Sequence, residues 1–188
     1  DFWDPIKHVP LSDDGSIWAS FGGQVRLRFE NWDNFGFSNA AGRDDSFLLT
    51  RLLFHADVHF GENVRVFVQG KSALSTDNDA PVGNRGLEVD ELALQNAFVD
   101  LTLPLAGGDA SLTLRGGRQE LLFGKQRLVS PLDWANSRRT FDGFSGILTH
   151  GDWTATGFFT RTVPVQKYDF NDQSANTDFY GLYITGKC

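Results

Sequence analysis

The chain has 188 residues, 40% of them hydrophobic, and a formal net charge of −7. This length predicts one domain, and the acidic balance argues against a nucleic-acid partner, because a surface that neutralises phosphates needs an excess of lysine and arginine. The single cysteine, Cys188, excludes a disulfide within the chain. No apolar run approaches the ~20 residues of a membrane helix.

The first seventeen residues are polar and contain two prolines, which predicts an extended lead-in. The chain begins at Asp1, as a mature chain would after removal of a signal peptide. Residues 18–32 predict the first strand, because Val25, Leu27 and Phe29 alternate with charged residues.

The clearest pattern lies in residues 47–71, which predict a β-hairpin. Its first arm is about 14 residues long, well beyond the usual strand of ~5–6 residues. Every second position from Leu48 to Phe60 is apolar or Thr, whereas Arg51, His55, Asp57 and His59 lie on the other parity. Residues 61–63 form the turn, and the second arm repeats the alternation.

The remaining strands are predicted at 94–103, about 110–118, 139–150, 153–163 and from 179 onward. Short connections (61–63, 105–110, 151–152) alternate with long polar ones (33–45, 75–90, 122–138, 164–177). In the fifth strand, strict alternation places Arg118 with Leu114 on the apolar face. A bulge at Gly116-Gly117 is expected to return it to the charged face.

Long strands that are apolar on one side and ionic on the other fit a transmembrane barrel, whose outside meets lipid and whose inside is wet. Alternating short turns and long loops are typical of the bacterial outer membrane. We therefore predict an all-β fold: an antiparallel up-and-down transmembrane barrel of about eight strands, or part of a larger barrel. Residues 1–17 are its periplasmic lead-in and residues 18–188 the barrel domain.

Several stretches carry more information than their alternation. The most specific are Gly-Arg-Gln at 117–119, Arg-Leu-Val at 127–129 and Arg-Arg-Thr-Phe-Asp-Gly at 138–143. Together with 22–30, 51–61, 64–69 and 94–101, their order and spacing resemble the alginate export family of outer-membrane barrels. The resemblance implies a channel for passive export of an anionic, alginate-like polysaccharide through an arginine-lined lumen, without a cofactor and without enzyme activity.

The resemblance covers about residues 8–186, and family members look about twice this long. The chain is therefore expected to be a fragment, completed by missing C-terminal strands or by a homo-oligomer, or a short form that closes as a small barrel. Eight strands alone would enclose an interior filled by side chains, whereas an aqueous channel needs about 16–18.

Cations on the charged face are candidates for the substrate path, because guanidinium groups offer paired donors to a carboxylate. They are Arg26, Arg28, Arg51, Arg65, Lys71, Arg118, Arg127, Arg138 and Arg139. The supporting carboxylates are Glu30, Asp57, Asp100 and Asp142. The alternative is that these groups are ion pairs that stiffen the lumen without touching a substrate. The family resemblance favours function for Arg118 and Arg139.

Other chemistry has weaker support. His55, Asp57 and His59 share one strand face and could hold a metal, but wetted lumen residues are the favoured interpretation, so no metal is predicted. Asp77, Asp79 and Glu88 are spaced like a calcium loop, yet Pro81 and Val82 stand where such loops need a ligand and a glycine. No motif predicts a catalytic nucleophile.

Large aromatics near strand ends predict rings at the interface with outer-membrane lipid. They are Trp18, Trp32, Phe60, Trp134 and Trp153. Two alternatives stay open: a porin-type channel for small anionic solutes, and a soluble carbohydrate-binding β-sandwich.

Overall fold

The computed structural model describes residues 2–37, 43–76, 84–174 and 176–187. These form one antiparallel sheet with very little helix. The strands are β1 (Val9–Pro10), β2 (Ile17–Trp32), β3 (Asp45–Phe60), β4 (Val64–Thr76), β5 (Asp90–Leu105), β6 (Ala110–Gln119), β7 (Thr140–His150), β8 (Trp153–Val163) and β9 (Asp178–Thr185). Among the described residues, no helix is long and apolar enough to span a membrane.

Each strand pairs antiparallel with the next one in the sequence, so the sheet order is the chain order. The eight long strands, β2 to β9, confirm the predicted all-β, up-and-down architecture. The lead-in differs from the uniformly extended segment that we predict. A single helical turn, α1 (Asp4–Lys7), begins with Pro5 near its first position, where proline is tolerated because its missing N–H has no helical partner. β1 then pairs with Ala19 and Trp18 of β2.

The outer face of the sheet has the opposite polarity to the surface of a soluble protein, and the inner face is mixed. On the outer face, apolar side chains are exposed, as in Leu27 at 68% and Phe144 at 71%. On the inner face, Arg51 and Gln119 are each only 1% exposed, and apolar side chains such as Leu49 and Leu53 are buried beside them. A soluble sandwich would bury the apolar side chains and expose the polar ones, whereas a membrane barrel presents its apolar face to lipid.

The bulge expected at Gly116-Gly117 is not found, because β6 pairs with β5 and β7 without a register shift through both glycines. Gly117 instead has φ +126°, and a Cβ there would lie 2.3 Å from the carbonyl oxygen of Ala97. The glycine therefore permits close backbone approach. The register shifts of this region lie between β4 and β5.

Residues 120–139 connect β6 to β7, and we call them the crossing loop. At one end, Arg26 of β2 donates to the carbonyl of Ala135 at 2.6 Å. Towards the other end, the ring of Phe123 stacks on Tyr183 of β9 with 4.8 Å between centroids. The crossing loop therefore spans the inner face from one edge strand to the other. In the described residues the sheet is open, since β2 and β9 do not pair with each other.

Candidate functional site

Four arginines gather on the inner face, and we call them the arginine cluster: Arg26, Arg28, Arg51 and Arg138. Arg26 of β2 and Arg51 of β3 are register partners, so the two side chains emerge next to each other. Arg138 approaches them from the crossing loop. Such closely placed positive charges repel each other and need acceptors.

Backbone carbonyls of the crossing loop supply many of these acceptors. Arg26 donates to the carbonyls of Asp133 at 2.7 Å and Ala135 at 2.6 Å. Arg51 donates to the same two carbonyls at 3.2 and 3.1 Å, and Arg28 donates to the carbonyl of Trp134. The position of this loop segment is thus coupled to the charged strands β2 and β3.

Three carboxylates neutralise part of the cluster. Asp133 is shared, because its Oδ1 lies 2.9 Å from Arg51 and 3.1 Å from Arg138. The other two pairs are Glu30 with Arg28 at 2.6 Å and Glu120 with Arg138 at 2.7 Å. Among the described residues, four guanidinium groups therefore share three carboxylates, and an excess of positive charge remains.

Each arginine of the cluster also keeps one donor without an acceptor. The Nε atoms of all four are buried and have no hydrogen-bond partner in the part of the chain that the structure describes. Leaving a buried donor unpaired costs about 1–3 kcal/mol. Ordered water would satisfy such donors.

Two carboxyl groups of the crossing loop are shifted in opposite directions. Burial alone would raise the pKa of Asp133, but Arg51, Arg138 and Arg26 outweigh it, so the pKa lies below its usual value. Burial raises the pKa of Glu120, although Arg138 and Gln95 oppose that effect. Asp133 therefore holds its negative charge more firmly than Glu120 does.

A second ionic group lies closer to the short turns. Arg65 makes a bidentate contact with Asp57 at 2.8 and 2.9 Å. Asp100 binds Arg115 in the same way, at 2.7 and 2.8 Å, and lies 3.6 Å from Arg65. Arg115 is not among the predicted residues. Its alternation with the outward-facing Leu114 is the signal that could have found it.

Arg118 is held by its register partner Asp142 through two hydrogen bonds of 2.8 Å. It also donates to the carbonyl of Asn171 at 3.1 Å. By strand parity Arg118 belongs with Leu114, yet its side chain is only 10% exposed because loop 164–177 covers it. The Arg118 side chain is therefore paired and covered, and it is not exposed on the surface of the sheet.

Lys71 forms a buried pair with Asp90, with 2.6 Å between Nζ and Oδ2. Asn171 donates to the same carboxylate at 2.8 Å. Asp90 was missed because the predicted strand begins only at Leu94, whereas β5 begins at Asp90.

Arg127 and Arg139 are the exposed members of the predicted set. Neither makes an ion pair with a residue that the structure describes. Arg127 borders a cavity of about 320 Å³, and Arg139 borders a neighbouring one of about 480 Å³. Their charges are therefore available to a ligand.

The four predicted supporting carboxylates each contact an arginine: Glu30 with Arg28, Asp57 with Arg65, Asp100 with Arg115, and Asp142 with Arg118. These contacts fit both functional support and mere stiffening of the sheet, so the supporting role stays a prediction.

The two histidines of β3 contact different neighbours. His59 lies 3.2 Å from Asp57 and stacks on Trp18, whereas His55 packs on Phe67. Within the described ranges these side chains do not form a cluster of metal-ligating groups. Asp77 and Asp79 lie outside the described residues, and Glu88 pairs with Arg85.

Five aromatic residues are predicted to lie at the lipid interface. Only two of them lie at a strand end, belong to the outer face and are exposed. They are Phe60 at the end of β3 and Trp153 at the start of β8. Trp18 and Trp32 have inner parity, and Trp32 stacks on Phe35. Trp134 is exposed in the crossing loop.

Comparison with protein-family models decides the wider class. The model of the family described as alginate export matches residues 17–187, nearly the whole sheet. The chain belongs to the alginate export family. No curated protein and no solved structure gives a match. At the level of the family, this is an outer-membrane channel for polysaccharide export, which is a transport function and not an enzymatic one.

Proposed function

We propose that this chain forms part of the wall of a channel through which an anionic, alginate-like polysaccharide leaves the cell passively. Arginine side chains are the element that selects for the anionic polymer. The observation that carries the proposal is the arginine cluster. Within the part of the chain that the structure describes, its four guanidinium groups share three carboxylates and retain four buried Nε–H donors without acceptors.

A polyuronate carries one carboxylate on each sugar, and that charge loses hydration when the polymer enters a narrow path. Fixed guanidinium groups offset this loss because their donors match a carboxylate in geometry. The carboxylates beside them weaken the net attraction, so the polymer can be released again. Movement then follows the concentration gradient, and neither a cofactor nor an energy source takes part.

The proposal requires a closed wall. An open sheet edge is not tolerated in lipid, because its backbone N–H and C=O groups would have no partners there. The edges of β2 and β9 must therefore pair with further strands, either of the same polypeptide or of another copy. A wall of about 16–18 strands is wide enough for an aqueous path.

Planar-bilayer recordings test the proposal. We expect the chain to give an anion-selective conductance that added polymannuronate blocks and neutral mannan does not. Block by small anions with no effect of polymannuronate would indicate a porin-type channel for small solutes. Cation selectivity would contradict the proposed role of the arginines.

Single substitutions test the role of individual arginines in anion selectivity. Arg139→Ala is expected to shift the reversal potential toward reduced anion preference, because its charge is exposed and unpaired in the described chain. Arg118→Ala is expected to act in the same direction but less, because Asp142 already offsets its charge. Lys7→Ala, which removes an exposed cation of α1 on the lead-in, is the control. Unchanged reversal potentials in both Arg118 and Arg139 variants would remove them from the path.

A further inference from the structure

The inner face changes character between β7 and β9, where rings replace charges. Five aromatic side chains form a row: Phe141, Phe179, Phe158, Phe123 and Tyr183. Successive ring centroids lie 5.7, 5.1, 5.2 and 4.8 Å apart. We call this the aromatic row. Four of its rings come from strands, and Phe123 comes from the crossing loop.

The strand rings have inner-face parity. Their neighbours Phe159 and Leu182 are exposed on the outer face, so Phe158 and Tyr183 point the other way. Apolar rings on the lipid side would need no explanation in this fold. Rings on the inner side, which is polar in a membrane barrel, need an explanation.

The aromatic row borders two adjoining cavities. Phe123, Phe158 and Tyr183 line the cavity of about 320 Å³, and Phe141 and Phe179 line the one of about 480 Å³. Both cavities share Leu128 and Val129 as lining residues, so they adjoin each other, and we call the two together the groove.

Each cavity combines rings with exposed cations. The larger cavity is bordered by the ion-paired Arg138 and Asp178. Three further cations border the groove: Lys125 and Arg127 at the smaller cavity and Arg139 at the larger one. All three are exposed, and none makes an ion pair with a described residue. Packing of the crossing loop would explain the rings alone. It does not explain why unpaired cations lie beside the rings in both cavities.

We propose that this groove binds consecutive sugar units of an anionic polysaccharide. The C–H face of a pyranose ring is weakly positive and packs on the negative face of an aromatic ring. The carboxylate of the same sugar reaches a neighbouring cation, Arg127 in one cavity and Arg139 in the other. The identity of the polymer as a polyuronate rests on the function proposed above, whereas the pairing of rings with cations stands on the groove itself.

Isothermal titration of the detergent-folded chain tests the groove, with hexamannuronate and neutral mannohexaose as probes. Tyr183→Leu removes a ring of the row, and Tyr180→Leu removes an exposed outer-face ring from the same strand as its control. Arg127→Gln removes an exposed cation of the groove, and Lys7→Gln, which removes an exposed cation of α1 that borders neither cavity, is its control.

We expect Tyr183→Leu to raise the dissociation constant of both probes about three- to tenfold. We expect Arg127→Gln to raise that of hexamannuronate by about the same factor and to leave mannohexaose unchanged. Both controls should bind like the unmodified chain. Because Arg127 is exposed on a loop, its variant keeps the test valid even where Tyr183→Leu disturbs folding.

Unchanged binding in both groove variants would overturn the groove, and the channel proposal would stand if polymannuronate still blocked conductance. Groove binding of hexamannuronate without any polymannuronate block would instead leave the groove in place and contradict the channel. Equal affinity of the unmodified chain for both probes would overturn the role of the cations.

Discussion

At the scale of single residues, parity alone locates most of the inner charges. Arg26, Arg28, Arg51 and Arg65 could be placed on the inner face from their alternation with apolar neighbours. Their partners could not be predicted in the same way. Asp133 and Glu120 lie in the crossing loop, which has no period, and only the folded chain shows which strands a loop contacts.

Glu120 gives a prediction about pH. Its pKa in the folded chain is raised above the usual value of 4.5, so its ionised form disfavours folding and this penalty disappears as pH falls through the raised pKa. The unfolding free energy of the unmodified chain, minus that of Glu120→Gln, is expected to rise as pH is lowered from 7 toward 4.5. Urea titrations in detergent at several pH values measure the difference. A difference that falls with falling pH would contradict the raised pKa.

The buried pair of Lys71 and Asp90 predicts a large loss of stability. Asp90→Asn leaves the ammonium group buried without a negative partner, which costs about 3–5 kcal/mol. The control is Asp178→Asn, which breaks an exposed pair with Arg161 worth about 0–1 kcal/mol. Urea midpoints at neutral pH compare the two variants, and an equal effect of both would show that the Lys71 site is hydrated.

At the scale of elements, the strands are predictable because lipid on one side and polar groups on the other enforce a period of two. The predicted start of the hairpin, residue 47, lies two residues from the observed start of β3 at Asp45. The sequence does not show that β5 begins as early as Asp90, because residues 90–93 lack clear alternation and the register shifts against β4. The path of the crossing loop could not be predicted from the sequence either, and so the groove could not be predicted.

Gly117 allows a test of the close contact between β5 and β6. Gly117→Ala is expected to destabilise the chain by about 2 kcal/mol or more, because its φ of +126° disfavours a side chain and the new Cβ would meet the backbone of Ala97. Gly157→Ala is the matched control, since nothing lies within 4 Å of its added Cβ. Similar unfolding midpoints for both variants would show that β5 and β6 can separate at little cost.

At the scale of the whole molecule, the inverted polarity of the sheet's outer face agrees with membership of the alginate export family and sets conditions for folding. A sheet with an exposed apolar face and open edges gains its stability from lipid or detergent and from strands that cover its edges. The number of strands in the functional barrel does not follow from the alternation of apolar and polar residues. A hairpin has the same sequence pattern in a barrel of eight strands as in one of sixteen.

Gel mobility tests closure of the wall. Chain folded in detergent is expected to migrate differently when loaded unboiled than when boiled, whereas chain diluted into plain buffer is expected to show no shift. A shifted band after folding in plain buffer, or a stable fold there, would favour the soluble carbohydrate-binding sandwich.

In the membrane, the alternating residues of each strand are expected to meet lipid on one side and the polar interior on the other. Spin labels at positions 25 to 29 of β2, one per variant and with Cys188 replaced by Ser, test it most directly in lipid vesicles. Collision with oxygen, which concentrates in the bilayer, is expected to peak at 25, 27 and 29 and to drop at 26 and 28. A water-soluble nickel complex reaching 25, 27 and 29 as readily as oxygen would contradict the account, because the apolar face would then lie in water.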